Sequence, residues 1–225
     1  MTTNAKTDSQ YSVDDVVENL KTIDLPPDWG DNYNRLVATV YREIAKGKPV
    51  SAATADALIK NAGVELEAGR EFLAGVGEMN DGGDIVGSVG LSQNQHPHRF
   101  EVDGVELATW CAWDTLFIAP VIKKLARVSS NAPGSNAEVK LEVGPDGVTS
   151  PEGSVMSFVM LEPGDISTDS LESVYMLFCH QIHFFPNREE AEQWTRDRDY
   201  KFAILSIDEA YEVGQRAFAD MLRVA

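Results

Sequence analysis

Two cysteines are the residues of this chain best suited to direct chemistry, and their surroundings differ. Cys111 stands three residues before Asp114, at the head of an apolar stretch over residues 110–124 that reads as a helix with Pro120 kinking or ending it. A spacing of three puts both side chains on one helical face, where they could meet a shared atom. A helix N-terminus also lowers a thiol's pKa and raises its thiolate fraction, which suits a reactive cysteine. The competing reading is an inert one, because a cysteine flanked by Trp110 and Trp113 also fits a small apolar core position.

Cys179 lies in a mostly apolar run, residues 177–185, together with His180 and His183. Zinc sites use such residues, but usually as two ligands from each of two short clusters, and Cys111 with Asp114 fits that pattern poorly. His183 reads instead as an inward-facing strand histidine with a satisfied hydrogen bond. His96 and His98 flank Pro97 and read as surface residues of a loop. Two thiols and one carboxyl in aromatic, water-poor surroundings match a soft metal ion, since hard cations require more numerous oxygen ligands. A carboxyl among apolar side chains has a raised pKa and can carry a proton near neutral pH. Soft-metal capture joined to proton delivery is the chemistry that cleaves a metal–carbon bond.

The elements that must position these groups are visible in the periodicity. Val13, Val16, Val17, Leu20 and Ile23 recur at helical spacing behind a Ser12 cap, and Pro26 and Pro27 end that helix. A second helix runs through Tyr33, Leu36, Val37, Val40, Tyr41 and Ile44; a third starts at Ser51 and stops at Gly63; a fourth covers about residues 64–76. Asp81-Gly82-Gly83 then marks a hairpin turn, so three or four helices followed by a β-ribbon resemble a winged helix. From Phe100 the pattern turns to strands around Asp103-Gly104, at Val128, at 139–143, at 155–161, near 182–185 and at 202–205. Residues 131–136 and 144–153 read as loops. A helix opens at Asn187, and a last one starts at Ser206 and Glu209 in capping-box spacing and continues to Leu222. These patterns divide the chain into an arm and first helix (1–30) whose removal should cost little, a helical module with its ribbon (31–99), and an α+β part (100–225).

Composition narrows the function classes. The 225 residues carry 19 basic and 36 acidic side chains, a net charge of −17, which opposes binding to a phosphate backbone. The first 99 residues hold 9 basic and 15 acidic residues, so even the winged-helix-like part is a poor DNA reader and serves better as a scaffold or lid. No run is long and apolar enough to span a membrane, the N-terminus lacks a signal-peptide core, and two cysteines read as reduced cytoplasmic thiols.

Taken with their spacing, Phe100-Glu101-Val102-Asp103, Trp110-Cys111-Ala112-Trp113-Asp114-Thr115-Leu116, Ala126-Arg127-Val128-Ser129-Ser130, and Phe178-Cys179 followed by His183-Phe184-Phe185 resemble the organomercurial lyases, also called alkylmercury lyases. The resemblance extends over about residues 33–222, including Ile44-Ala45-Lys46-Gly47-Lys48-Pro49-Val50 and the ribbon before Leu91. It implies an α+β fold, with a winged-helix-like N-terminal domain packed on a C-terminal domain of mainly antiparallel sheet. It further implies protonolysis of R–Hg⁺ by Cys111, Cys179 and Asp114, with no organic cofactor and with Hg(II) left as product on the cysteines. Low-molecular-weight thiols or a mercuric reductase would then remove the metal. Trp110, Trp113 and Phe178 would line the pocket for the organic group, at least one of them as core. Many members of that family carry a further cysteine just after the Arg-Val-Ser-Ser motif, and some a second one directly after the match to Cys179. Ala132 and His180 stand near or at those places here. A soft-metal carrier of the same fold is the rival reading, and Asp114 separates the two, since a carrier needs no proton relay beside its thiol.

Overall fold

The central element is a helix with no polar face. In the computed structural model, which describes residues 11–167 and 171–225, helix α5 (Asp114–Ile122) is buried at every one of its nine positions. A helix apolar all round must be covered on all sides, and three layers do so. On one side lies an antiparallel sheet of eight strands, in the order β1-β2-β3-β5-β4-β6-β7-β8. Its strands are β1 (Gly77–Met79), β2 (Ile85–Ser88), β3 (Leu91–Ser92), β4 (His98–Val102), β5 (Val105–Thr109), β6 (Ala126–Asn131), β7 (Glu138–Gly144) and β8 (Gly147–Thr149). Alternation aims Val128, Val139, Leu141 and Val143 at the core and Arg127, Lys140 and Glu142 at solvent, as a half-buried antiparallel sheet requires.

Over α5 also lie α2 (Gly30–Ile44), followed in chain order by α3 (Ala52–Ala62) and α4 (Leu66–Val76), and the C-terminal α8 (Ile207–Ala217) and α9 (Ala219–Val224). A second, three-stranded sheet, β10-β9-β11, joins β9 (Val155–Met160) to β10 (Phe184–Phe185) and β11 (Lys201–Ser206), with α7 (Arg188–Arg196) packed on it. Between β9 and β10 a short α6 (Leu171–Ser173) passes into a π-helical turn over Val174–Phe178 and a 3-10 turn over Cys179–Gln181. No described helix is long and apolar enough to cross a membrane.

Local signals explain most boundaries. Ser12 and Asp15 form a capping box at α1 (Val13–Thr22), Ser206 and Glu209 another at α8, and Gly63 ends α3 in the left-handed conformation. Asp103 and Gly104 take φ of 51° and 79°, the paired positive angles of a tight hairpin between β4 and β5.

Several expectations are corrected. The helix foreseen from residue 110 begins only at Asp114, so Cys111 precedes it rather than riding on it. Pro120 does not end the helix, which runs on to Ile122 and closes with Lys123 in the left-handed region. The supposed loop 144–153 contains β8, and the last helix breaks at Phe218 into two. His98 is a core residue of β4, 1% exposed, and His96 is largely covered, so neither is a surface loop residue. Helix α1 docks on the core: it buries Val16, Val17 and Leu20 with α8 beside it, and Asn19 bonds both the N–H and the carbonyl of Leu161. Removal of residues 1–30 would therefore strip cover from the core. Residues 1–10, the start of the arm, lie outside the described residues.

Candidate active site

Cys111 is held at the exit of β5 by local bonds. Thr109 Oγ1 donates to the Cys111 carbonyl at 3.0 Å, Thr115 Oγ1 donates to that of Ala112 at 2.7 Å, and the Cys111 N–H donates to Asp114 Oδ2 at 2.9 Å. Asp114, the first residue of α5, thus folds its carboxylate back over the turn that carries the cysteine. Cys179 comes from the segment between β9 and β10, at the junction of the π-helical and 3-10 turns. Its segment is pinned by Ser157 of β9, whose hydroxyl donates to the Gln181 carbonyl at 3.1 Å and accepts the His183 N–H at 3.2 Å.

These supports bring together three groups far apart in sequence. A sulfur of Cys111, a carboxylate oxygen of Asp114 and the sulfur of Cys179 lie within 4.8 Å of one another, and all three residues are buried. Both cysteines are free thiols. Burial pushes the Cys111 thiol well above its ordinary pKa, with its hydrogen bond to Cys179 adding to the rise. That same hydrogen bond pulls Cys179 down, but burial and the neighbouring Asp114 charge outweigh it, so Cys179 is raised too. The expectation of a helix-activated thiolate at Cys111 is therefore corrected: the thiol stands before the helix and is desolvated. Burial lifts Asp114 from 3.8 to about 7, against hydrogen bonds from Cys111 that favour its ionised form. The carboxyl can thus hold or release a proton near neutrality, and a soft metal can displace the thiol protons as it binds.

The aromatic candidates separate. Trp113 and Phe178 belong to a ring cluster with Phe117, Phe158 and Phe218 in the core. Trp110 faces the other way. Its indole N–H donates to Glu78 of β1, whose carboxylate also accepts from Ser92 Oγ at 2.8 Å, Asn94 Nδ2 at 2.6 Å and His96 Nε2 at 3.1 Å. Burial alone would raise Glu78, but these donors outweigh it and bring its pKa down to about 2. The rings of Trp110, His96 and Tyr175 stand 6.0–6.4 Å apart, and Tyr175 packs on exposed His180 at 4.5 Å. Burial raises the Tyr175 hydroxyl, and the Cys179, Glu78 and Cys111 charges add to the rise.

His183 finds its partner, donating from Nε2 to the His180 carbonyl at 2.9 Å, and His98 shares a 2.7 Å bond with Ser130 Oγ. Neither joins the three-residue cluster. Glu78, His96 and Tyr175 were missed as site residues. Tyr175 had a usable signal, one helical turn before Cys179; Glu78 had none, because its importance comes from partners 14 to 32 residues away.

The fold and site define a class: a mixed protein of helix and antiparallel sheet that encloses two thiols and one carboxyl. A family model described as alkylmercury lyase matches residues 91–219. A relative named alkylmercury lyase from Streptomyces lividans is 36% identical over 138 residues, 61% of each chain. One of the same name from Pseudomonas putida is 32% identical over 165 residues, 73% of this chain and 74% of its own. The chain belongs to the alkylmercury lyase family. It matches about 61% of the length of the relatives from Streptomyces lividans and Staphylococcus epidermidis. The crystal structure of the mercury-bound form of MerB2 shares the fold, with a TM-score of 0.70 over 92% of this chain and 98% of that one at 18% identity.

Proposed function

We propose that this protein is an organomercurial lyase that converts R–Hg⁺ and a proton to R–H and Hg(II), with Cys111 and Cys179 as the mercury-binding thiols and Asp114 as the proton carrier. The observation that carries the reading is the buried convergence of two sulfurs and one carboxylate within 4.8 Å. Membership of the alkylmercury lyase family supports it.

In this reaction the Cys111 sulfur displaces the anion from R–Hg–X, losing its proton as the S–Hg bond forms. Cys179 then adds as a second donor, and its proton moves to Asp114. Two sulfur donors push electron density through mercury towards carbon, so the electron pair of the breaking Hg–C bond takes the Asp114 proton. The hydrocarbon leaves and Hg(II) stays on the two sulfurs. A carboxyl with a pKa of about 7 suits both halves of that transfer, acceptance from a thiol and delivery to carbon. No step draws on an organic cofactor. Ligand exchange with low-molecular-weight thiols, or with a mercuric reductase, returns the free thiols, and two uncrosslinked cysteines suit a reducing cytoplasm.

In this reading Trp110, Trp113 and Phe178 make the apolar surroundings of the organic group, Trp113 and Phe178 from the core ring cluster and Trp110 from the side that meets Glu78, His96 and Tyr175. The part spanning residues 31–99 is, in this reading, a winged-helix-like cover on the catalytic part 100–225. Its fully buried Leu36, Val37, Val40 and Tyr41 support an inward, water-excluding role. The test is incubation of the purified chain with phenylmercury and excess thiol. Benzene accumulating over many turnovers supports the reading, and its absence refutes it.

A further inference from the structure

Val89 adopts a φ of 39° and Gly90 one of 95°. Positive φ in a β-branched residue is a steric outlier that persists only where surrounding bonds hold it, and such strain concentrates at functional sites. Three bonds hold this turn. The Val89 N–H donates to the Val76 carbonyl at 3.0 Å, the Trp110 N–H donates to the Gly90 carbonyl at 2.9 Å, and the Tyr41 hydroxyl donates to the Val89 carbonyl at 2.6 Å. Tyr41 comes from the last turn of α2 and is fully buried, and the Asp114 charge adds to burial in raising its hydroxyl pKa.

What the turn touches is the Asp114 carboxyl. A Cβ added at Gly90 would sit 2.6 Å from Asp114 Cγ and 2.7 and 2.8 Å from its two oxygens, closer than real atoms approach. The bare Cα of Gly90 is therefore the wall on which the whole carboxyl group rests. The same group meets the thiol turn: its Oδ2 accepts the Cys111 N–H at 2.9 Å, and a carboxylate oxygen lies within 4.8 Å of both sulfurs. We propose that Tyr41 is a positioning residue of the reaction: through the strained Val89–Gly90 turn it presses the Asp114 carboxyl into the single orientation that faces both thiols. This rests on the lyase reading above and extends it, since it gives the helical part a specific task in the chemistry. Tyr41 touches no reacting atom; it acts through the turn, and the turn acts on Asp114.

Three variants of the full chain test this, with single-turnover benzene release from phenylmercury and retention of mercury after gel filtration as readouts. Tyr41→Phe removes one hydroxyl and keeps the ring. It should slow benzene release about tenfold or more, with mercury retention and KM little changed. Glycine accepts positive φ without a clamp, so adding Val89→Gly in the Tyr41→Phe background should restore most of the lost rate. A packing role for Tyr41 would not be rescued this way. Gly90→Ala, which drives a methyl into the carboxyl, should abolish release while the thiols still retain mercury. Benzene release by Tyr41→Phe at the wild-type rate, failure of Val89→Gly to rescue a folded Tyr41→Phe chain, or full release by Gly90→Ala would each overturn the positioning role. Should Tyr41→Phe not fold, the double variant and Gly90→Ala decide the matter. No benzene from the unaltered chain would instead overturn the lyase reading itself.

Discussion

The Asp114 carboxylate turns back three residues to accept the backbone N–H of Cys111 at 2.9 Å, so one peptide turn holds both the proposed proton carrier and a thiol. Replacing the acid with its amide keeps that acceptor and removes the proton. Asp114→Asn should still bind mercury on Cys111 and Cys179 while hydrocarbon release falls by about 10²–10⁴-fold, the range typical of a lost general acid. Mercury retention after gel filtration, measured beside benzene release, separates binding from chemistry. Joint loss of both would make Asp114 a primary ligand or a structural residue.

The same buried acid has a stability consequence with a definite sign. Its pKa is raised from 3.8 to about 7, so its favourable contribution is complete below about pH 4 and is lost as pH rises through 7. A rise of that size corresponds to about 4 kcal/mol. Asp114→Asn should therefore be more stable than the unaltered chain at pH 8 and gain little at pH 4. Urea denaturation at both values checks this; an advantage independent of pH would contradict the raised carboxyl.

Serine at either cysteine should end turnover and leave the fold intact. A hydroxyl is a poor soft-metal ligand, and a thiol-to-hydroxyl change inside a buried site alters volume little. Circular dichroism and benzene release on Cys111→Ser and Cys179→Ser provide the check. Near-normal activity from either variant would contradict the two-thiolate path.

Glu78 links β1 to the residue preceding Cys111 through Trp110. Glu78→Gln offers amide hydrogens to a site surrounded by donors and should cost about 1–3 kcal/mol by leaving at least one buried donor unmet. Because the Glu78 pKa is held down to about 2, its stabilising effect is present above about 4.5 and fades as pH falls towards 2. The stability gap between the two proteins should accordingly shrink on acidification. A constant gap would contradict an ionised Glu78 at the centre of the network.

Spacing alone left Cys111 open between a reactive thiol and an inert core residue, and the resemblance grouped it with Asp114 and Cys179, three residues that the fold does bring within 4.8 Å. Helices α1 to α4 were legible because caps and apolar periodicity act within a few residues. What failed was non-local. His98 beside a proline reads as loop, yet pairing with Thr109 on one side and Ser130 on the other buries it in the sheet. The helix start at Asp114 depends on the acid's own bond to Cys111, which competes with helical geometry for the residues between. Tyr41 read as one more apolar position of α2, since nothing near it in sequence announces Val89. The β8 strand and the break at Phe218 follow from packing of α8 against that strand and α5.

The most direct test of the central claim is a single turnover in D₂O. The chain is mixed with equimolar phenylmercury in the absence of other thiols, and both products are measured. The account predicts one benzene per protein carrying one deuterium at the former Hg–C position, with one Hg(II) remaining on the protein. Phenylmercury retained intact on the protein, with no benzene formed, would contradict it and leave a soft-metal carrier in its place.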